Sequence, residues 1–154
     1  MKSQKGVLRK AEEALPKRAE QLVVVFTDCG NKDNVPFPAS VLPTLQRLAR
    51  KLKSALVVID AGECTADDRV RSLSGSLTSG AKDIRVQLGE FKRDSAHDQV
   101  YTSEIAVNGR ILKLVVTVNG DFSMLFKRHC LEDHCVKLMG IPASGGAENA
   151  KQLA

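Results

Sequence analysis

Two short β-branched runs set what this chain can fold into. "QLVVVFT" at residues 21–27 and "ALVVID" at residues 55–60 carry five valines between them and a single charged residue, the final Asp60. Such runs suit strands that are covered on both faces, as in parallel sheets. Between them lies "SVLPTLQRLARKLKS". At 100° per residue, Val41, Leu42, Leu45, Leu48, Ala49 and Leu52 fall on one arc, and Arg47, Arg50, Lys51 and Lys53 on the other. Ser40 reads as the N-cap, with Pro43 in the first turn, where a missing N–H does no harm. Strand, amphipathic helix and strand in roughly forty residues make a βαβ unit, and so a right-handed parallel pair.

The remaining pattern adds an antiparallel part. "TADDRVRSL" opens as a helix, with Thr65 as N-cap and Asp68 in the first turn. Serine and glycine crowd the stretch that follows, which predicts a short helix with a mobile end. "DIRVQLGEF" alternates Ile84, Val86 and Leu88 against Arg85 and Gln87, as a third strand does. Asn108-Gly109 between two β-rich runs is the signature of a two-residue hairpin turn of type I′. The arm from Ile111 to Val118, almost wholly apolar, reads as an inner strand. Residues 121–139 read as a final helix.

The expected architecture is α/β, on the border of α+β. A single domain over residues 21–140 holds a mixed sheet of about five strands, starting with a parallel βαβ unit and ending in an antiparallel hairpin and a C-terminal helix. Helices pack on the sheet. Residues 1–20 form a short amphipathic helix with Val7, Leu8, Ala11, Ala14 and Leu15 on one side, stopped by Pro16. Residues 141–154 have the composition of a disordered tail.

Composition narrows the class of function. No apolar run approaches the roughly 18 residues that span a bilayer, and the basic N-terminus lacks the apolar core of a signal peptide. Four irregularly spaced cysteines do not make a secreted disulfide framework. The expectation is a soluble, cytoplasmic protein with free thiols and no membrane partner. A net charge of +5 and a pI near 9.1 suit phosphates, nucleic acid or an acidic protein. Arg47, Arg50, Lys51 and Lys53 are the candidate binding face. No aromatic residue interleaves them, so contact with a nucleic acid would be to phosphates rather than stacked bases.

Three places offer chemistry. The parallel strands end in Asp28 and Asp60, with Glu63 close behind, and ligands of open α/β sheets sit beyond the carboxyl ends of such strands. Clustered carboxylates are hard oxygen ligands of the kind Mg²⁺ takes, so Asp28, Asp60 and Glu63 are the candidate metal site. "KRHCLEDHC" holds two His-Cys pairs five residues apart, but five residues turn a helix through 500° and leave the pairs 140° apart. Only Cys130 and His134 are then neighbours, two ligands where structural zinc takes four. Cys130, between Lys127 and His134, is the candidate reactive thiol, although a plain solvent-facing cysteine accounts for it as well. His129 and Asp133 read as a hydrogen-bonded pair at the edge of the core. "GSLTSGAK" lacks the P-loop order, because it precedes a strand instead of following one. The function expected from this balance is a non-catalytic binding or interaction module for an acidic partner, nucleic acid or protein. The alternative is a Mg²⁺-dependent phosphoryl-transfer or nuclease-like enzyme.

Overall fold

The computed structural model describes residues 22–27, 37–50, 52–81, 86–142 and 147–153. The N-terminal helix expected over residues 1–20 lies outside them, as do Asp28, Cys29 and Lys51. The described chain runs β1 (Leu22–Thr27), α1 (Phe37–Leu48), β2 (Leu52–Asp60), α2 (Ala66–Ala81), β3 (Val86–Leu88), β4 (Lys92–Arg93), β5 (Val100–Val107), β6 (Arg110–Asn119) and α3 (Glu132–Leu138), closing with a 3-10 turn at Ala150–Gln152.

This is the mixed α/β sheet expected from the pattern. Its strand order is β1-β2-β6-β5-β3, with the two-residue β4 also paired to β5. β1 runs parallel to β2, and β2 parallel to β6, whereas β5 is antiparallel to β6, β3 and β4. Asn108 (φ 51°) and Gly109 (φ 74°) take the two left-handed positions that the β5–β6 turn requires. β6 is an inner strand, between β2 and β5.

One face of the sheet builds the core. Ala55, Val57 and Ile59 of β2, Leu112, Leu114, Val116 and Val118 of β6, and Tyr101, Ile105 and Val107 of β5 point the same way and are buried. Val41, Leu42, Leu45 and Leu48 of α1 cover them, together with Val70, Leu73 and Leu77 of α2. The opposite face carries Ser54, Leu56 and Val58, Lys113, Val115 and Thr117, and Thr102 and Glu104, half-buried or exposed. β2 is therefore buried on one face and only half-buried on the other, where the β-branched run suggests cover on both. Among the described residues no helix is long and apolar enough to cross a membrane.

Four elements differ from the sequence pattern. α1 starts at Phe37, so Pro43 lies inside the helix rather than in its first turn, on the exposed side. α2 continues to Ala81 through the Ser/Gly stretch, because Leu77 and Ala81 extend the buried row of Ala66, Val70 and Leu73 while Gly75 faces open space. Thr65 caps it as expected, its Oγ1 accepting from the Asp68 N–H at 3.2 Å. The third strand is broken after Leu88. Gly89 donates to the Glu104 carbonyl at 2.7 Å and accepts from Ser103 Oγ, and a Cβ there would lie 3.1 Å from that carbonyl oxygen.

The largest difference is the final helix, which is helical only over Glu132–Leu138. Gly120 leaves β6 at φ +136°, and Asp121 then captures the Ser123 N–H at 2.9 Å, which diverts the backbone into turns. His129 is tied to Gly62 by two backbone hydrogen bonds of 2.9 and 2.7 Å, a bridge that a helix could not make. A second, smaller core forms here from Phe126, Cys130, Val136 and Ala150. Where the composition suggests a loose tail, residues 147–153 fold back. Ala150 is fully buried, and the Arg128 N–H donates to the Glu148 carbonyl at 2.9 Å.

Candidate functional site

Two ends of the sheet carry the residues that the sequence singles out. At the carboxyl end of the parallel strands, Asp60 pairs in register with Asn119, so β2 and β6 end on the same rim. Asp60 accepts from the Leu131 N–H at 3.3 Å, and its own carbonyl accepts from Arg69 Nε at 3.0 Å. Burial pushes the Asp60 carboxyl up, opposed by the hydrogen bond from Asn119. Glu63 accepts from Arg128 Nε at 2.7 Å, with Lys127 Nζ at 4.0 Å, and the Arg128 bond holds its carboxyl below the ordinary range.

Beside this rim lies a hub built on one carboxylate. Asp133 is fully buried and accepts from His129 Nδ1 at 2.8 Å, from the Asp121 N–H at 3.1 Å and from the Cys130 thiol at 3.5 Å. The expected His129–Asp133 pair is present, though the bend from loop into helix makes it rather than one continuous helix. Phe122 lies against the His129 ring, 4.8 Å between centroids. Asp121 is gripped by Lys137 Nζ at 2.6 Å, and that bond, with Ser123, lowers its carboxyl to about 2.

The thiol expectation is corrected here. Cys130 does not sit on a solvent-facing strip; it is buried in the small core, and burial above all pushes its thiol up to about 12. A thiol held protonated in this way is a poor nucleophile. The wheel misplaces it because Cys130 precedes the first turn of α3. Among the described residues, Cys64 and Cys135 are the exposed thiols.

For Mg²⁺, the chemistry of the donor set matters. Asp60 and Glu63 are each engaged by donors of the chain, and among the described residues no three His, Cys, Asp or Glu side chains converge on a point that could hold an ion. The third expected ligand, Asp28, lies outside the described residues.

The other end of the sheet is arranged in the opposite manner. The hairpin tip clasps the end of α1: Asn108 Nδ2 donates to the Gln46 carbonyl at 3.0 Å, and Arg110 Nη1 to the Arg50 carbonyl at 2.6 Å. This brings Arg110 and Lys113 of β6 to the same end as Arg47, Arg50 and Lys53, all exposed. A cleft of about 1020 Å³ opens there, lined by Lys53, Lys92, Arg110 and Lys113 with Glu90 and Glu104. Comparison with known proteins finds no matching family, no similar curated protein and no similar solved structure.

Apart from the carbonyls that Arg110 holds, the cations of the cleft have no partner of opposite charge among the described residues. Among the described residues, no carboxylate lies within 4.0 Å of the charged nitrogens of Lys53, Lys92, Arg110 or Lys113. Lys113 stands directly opposite Glu104 across β5–β6 without closing an ion pair. Of the expected binding residues, Arg47, Arg50 and Lys53 are thus at one end of the molecule, and Lys51 is outside the described residues. Sequence reasoning missed Lys92, Arg110 and Lys113. The alternation of β6 does mark Lys113 as facing away from the core, but only the β2–β6 pairing, across sixty residues of chain, sets it beside Lys53.

Proposed function

We propose that the chain is a binding module for an acidic macromolecular partner, nucleic acid or protein, held in the basic cleft between β4, β5, β6 and the start of β2. The observation that supports this is the set of four cations lining one open cleft against two carboxylates, Glu90 and Glu104, with no ion pair closed between them among the described residues. Like charges gathered without partners oppose folding and attract polyanions. Arg110 also clasps the end of α1, whereas Lys53, Lys92 and Lys113 hold no carboxylate of the described chain. The strand-end rim differs in kind, since its carboxylates are consumed by hydrogen bonds and ion pairs that hold the chain.

Binding rests on charge and not on stacking. Tyr101, the single tyrosine, is buried on the other face, its hydroxyl donating to Asp67 at 2.6 Å. The cleft therefore meets the backbone charge of a partner without an aromatic side chain among its lining residues on which bases could stack.

Titration against single-stranded DNA, single-stranded RNA, duplex DNA and polyglutamate tests the proposal. At least one polyanion should bind, and the double reversal Lys92→Glu/Lys113→Glu should weaken binding by a factor of ten or more, about 1.4 kcal/mol. Binding to polyglutamate alone would make the partner an acidic protein. Wild-type affinity in the double reversal, or no binding to any of the four, would refute the cleft.

A further inference from the structure

The cleft is not uniformly basic, and its mixture of charges narrows the partner. β4, β5 and β6 lie in register, with Lys92 opposite Thr102, Thr102 opposite Val115, Glu104 opposite Lys113 and Ala106 opposite Ile111. Residues paired in this way share a face of the sheet. Lys92, Glu104, Ile111 and Lys113 therefore stand together on the face turned away from α1 and α2. Along β6 that face carries Ile111, Lys113 and Val115, an aliphatic, a cation and an aliphatic two residues apart. Ile111 is 69% exposed on the wall of the cleft, beside Lys113, and Val115 is half-buried. Glu90 and Glu104 line the same cleft without closing an ion pair with its cations.

We infer that the cleft takes an extended acidic peptide, its carboxylates on the lysines and its aliphatic side chains on Ile111 and Val115. The inference rests on the basic cleft as the binding site and names the chemistry of the partner. A nucleic acid carries a negative charge at every nucleotide, and some of those charges would lie against Glu90 and Glu104, where like charges repel. A peptide spaces its charges by its sequence. Acids then fall over Lys53, Lys92 and Lys113, and neutral residues over the two glutamates. Peptide N–H groups also give those glutamates donors to accept from, which a phosphodiester backbone does not have. The spacing fits as well. An extended chain rises about 3.4 Å per residue and turns alternate side chains to one face. An aliphatic, acid, aliphatic series two residues apart thus repeats the roughly 7 Å steps from Ile111 to Lys113 to Val115. Covering Ile111 with an aliphatic side chain removes apolar surface from water, a gain that a purely charged polymer does not offer.

Two synthetic peptides of equal length and charge test this, one repeating Val-Ser-Glu-Ser and the other Ser-Ser-Glu-Ser, beside oligothymidylate of matched charge. The valine peptide should bind at least about tenfold more tightly than either of the others. Ile111→Ser should remove its advantage over the serine peptide while leaving the serine peptide's affinity and the melting temperature unchanged, which separates loss of the contact from loss of the fold. Glu104→Gln should narrow the gap between the valine peptide and oligothymidylate, because a carboxylate that repels phosphate is gone. Equal affinity for the two peptides, or a valine-peptide affinity unmoved by Ile111→Ser, would overturn the inference. So would tighter binding of oligothymidylate, which would make the partner a nucleic acid. Failure of all three probes to bind would remove the basic cleft itself as a site. Binding that Lys92→Glu/Lys113→Glu weakens, but to which the valines add nothing, would leave the cleft standing and refute the peptide alone.

Discussion

The two ends of the sheet hold similar numbers of charges and use them in opposite ways. At the carboxyl end, Glu63 meets Arg128, Asp121 meets Lys137, and Asp133 gathers His129, the Asp121 N–H and the Cys130 thiol. At the hairpin end, Lys53, Lys92, Arg110 and Lys113 line a cleft without an ion pair among the described residues. Charges answered inside the chain fix its shape; charges left unanswered await something outside it. The first end is structural, and the second is where we propose that a partner binds.

Breaking the structural end should have the largest effect. Asp133→Ala removes the acceptor of three donors at a fully buried position, and leaves them without partners. The expected loss is about 2–4 kcal/mol in urea unfolding. Hydrogen exchange should localise the loosening to residues 120–142, with β5 and β6 still protected. A loss below 1 kcal/mol would mean that the hub does not hold this end.

The pH dependence sharpens the same contrast, because two carboxylates at the structural end titrate in opposite senses. Asp121 is lowered from 3.8 to about 2 by Lys137 and Ser123. Its contribution is present above pH 3.8 and is lost as pH falls through the folded value. Lys137→Met should therefore lower the melting temperature at neutral pH and flatten the acid limb between those two values. Asp60 is raised by burial, so its charge opposes folding above its folded pKa, and the opposition fades as pH falls through that value towards 3.8. Asp60→Asn should melt higher than wild type at pH 7, with the gap closing on acidification. A gap that stays constant with pH would contradict the assignment.

The smallest effect on stability belongs to the cleft. Lys113→Gln should leave unfolding within about 0.5 kcal/mol of wild type, since no internal partner is lost, while weakening polyanion binding. A destabilisation comparable to that of Asp133→Ala would place Lys113 among the structural charges and dissolve the distinction between the two ends.

Local order was legible in the sequence where one element decides its own form. The βαβ start follows from two β-branched runs around an amphipathic helix, the hairpin from Asn108-Gly109, and the cap of α2 from Thr65 and Asp68. His129 and Asp133 were legible as a pair because a spacing of four is short enough for several backbone paths. Distant pairing was not legible. The bridge of His129 to Gly62 joins segments 67 residues apart (129 minus 62), and it turns a helical pattern into loop and buries Cys130. The cleft depends in the same way on β6 lying beside β2, so the helix-face residues Arg47, Arg50 and Lys53 could be read as a basic strip, while Lys92, Arg110 and Lys113 could not be joined to them. Amphipathic spacing says which side of an element is wet. It does not say which neighbour shares that side.

The salt dependence of polyanion binding tests the division between the two ends most directly. If the four cleft cations each neutralise one phosphate of a single strand, log K should fall with log salt at a slope of roughly −3, and Lys113→Gln should lessen that slope by about 0.7. Arg128→Gln, which removes the partner of Glu63 at the other end, should leave it unchanged. A slope near zero, or equal loss of slope in both variants, would contradict the account.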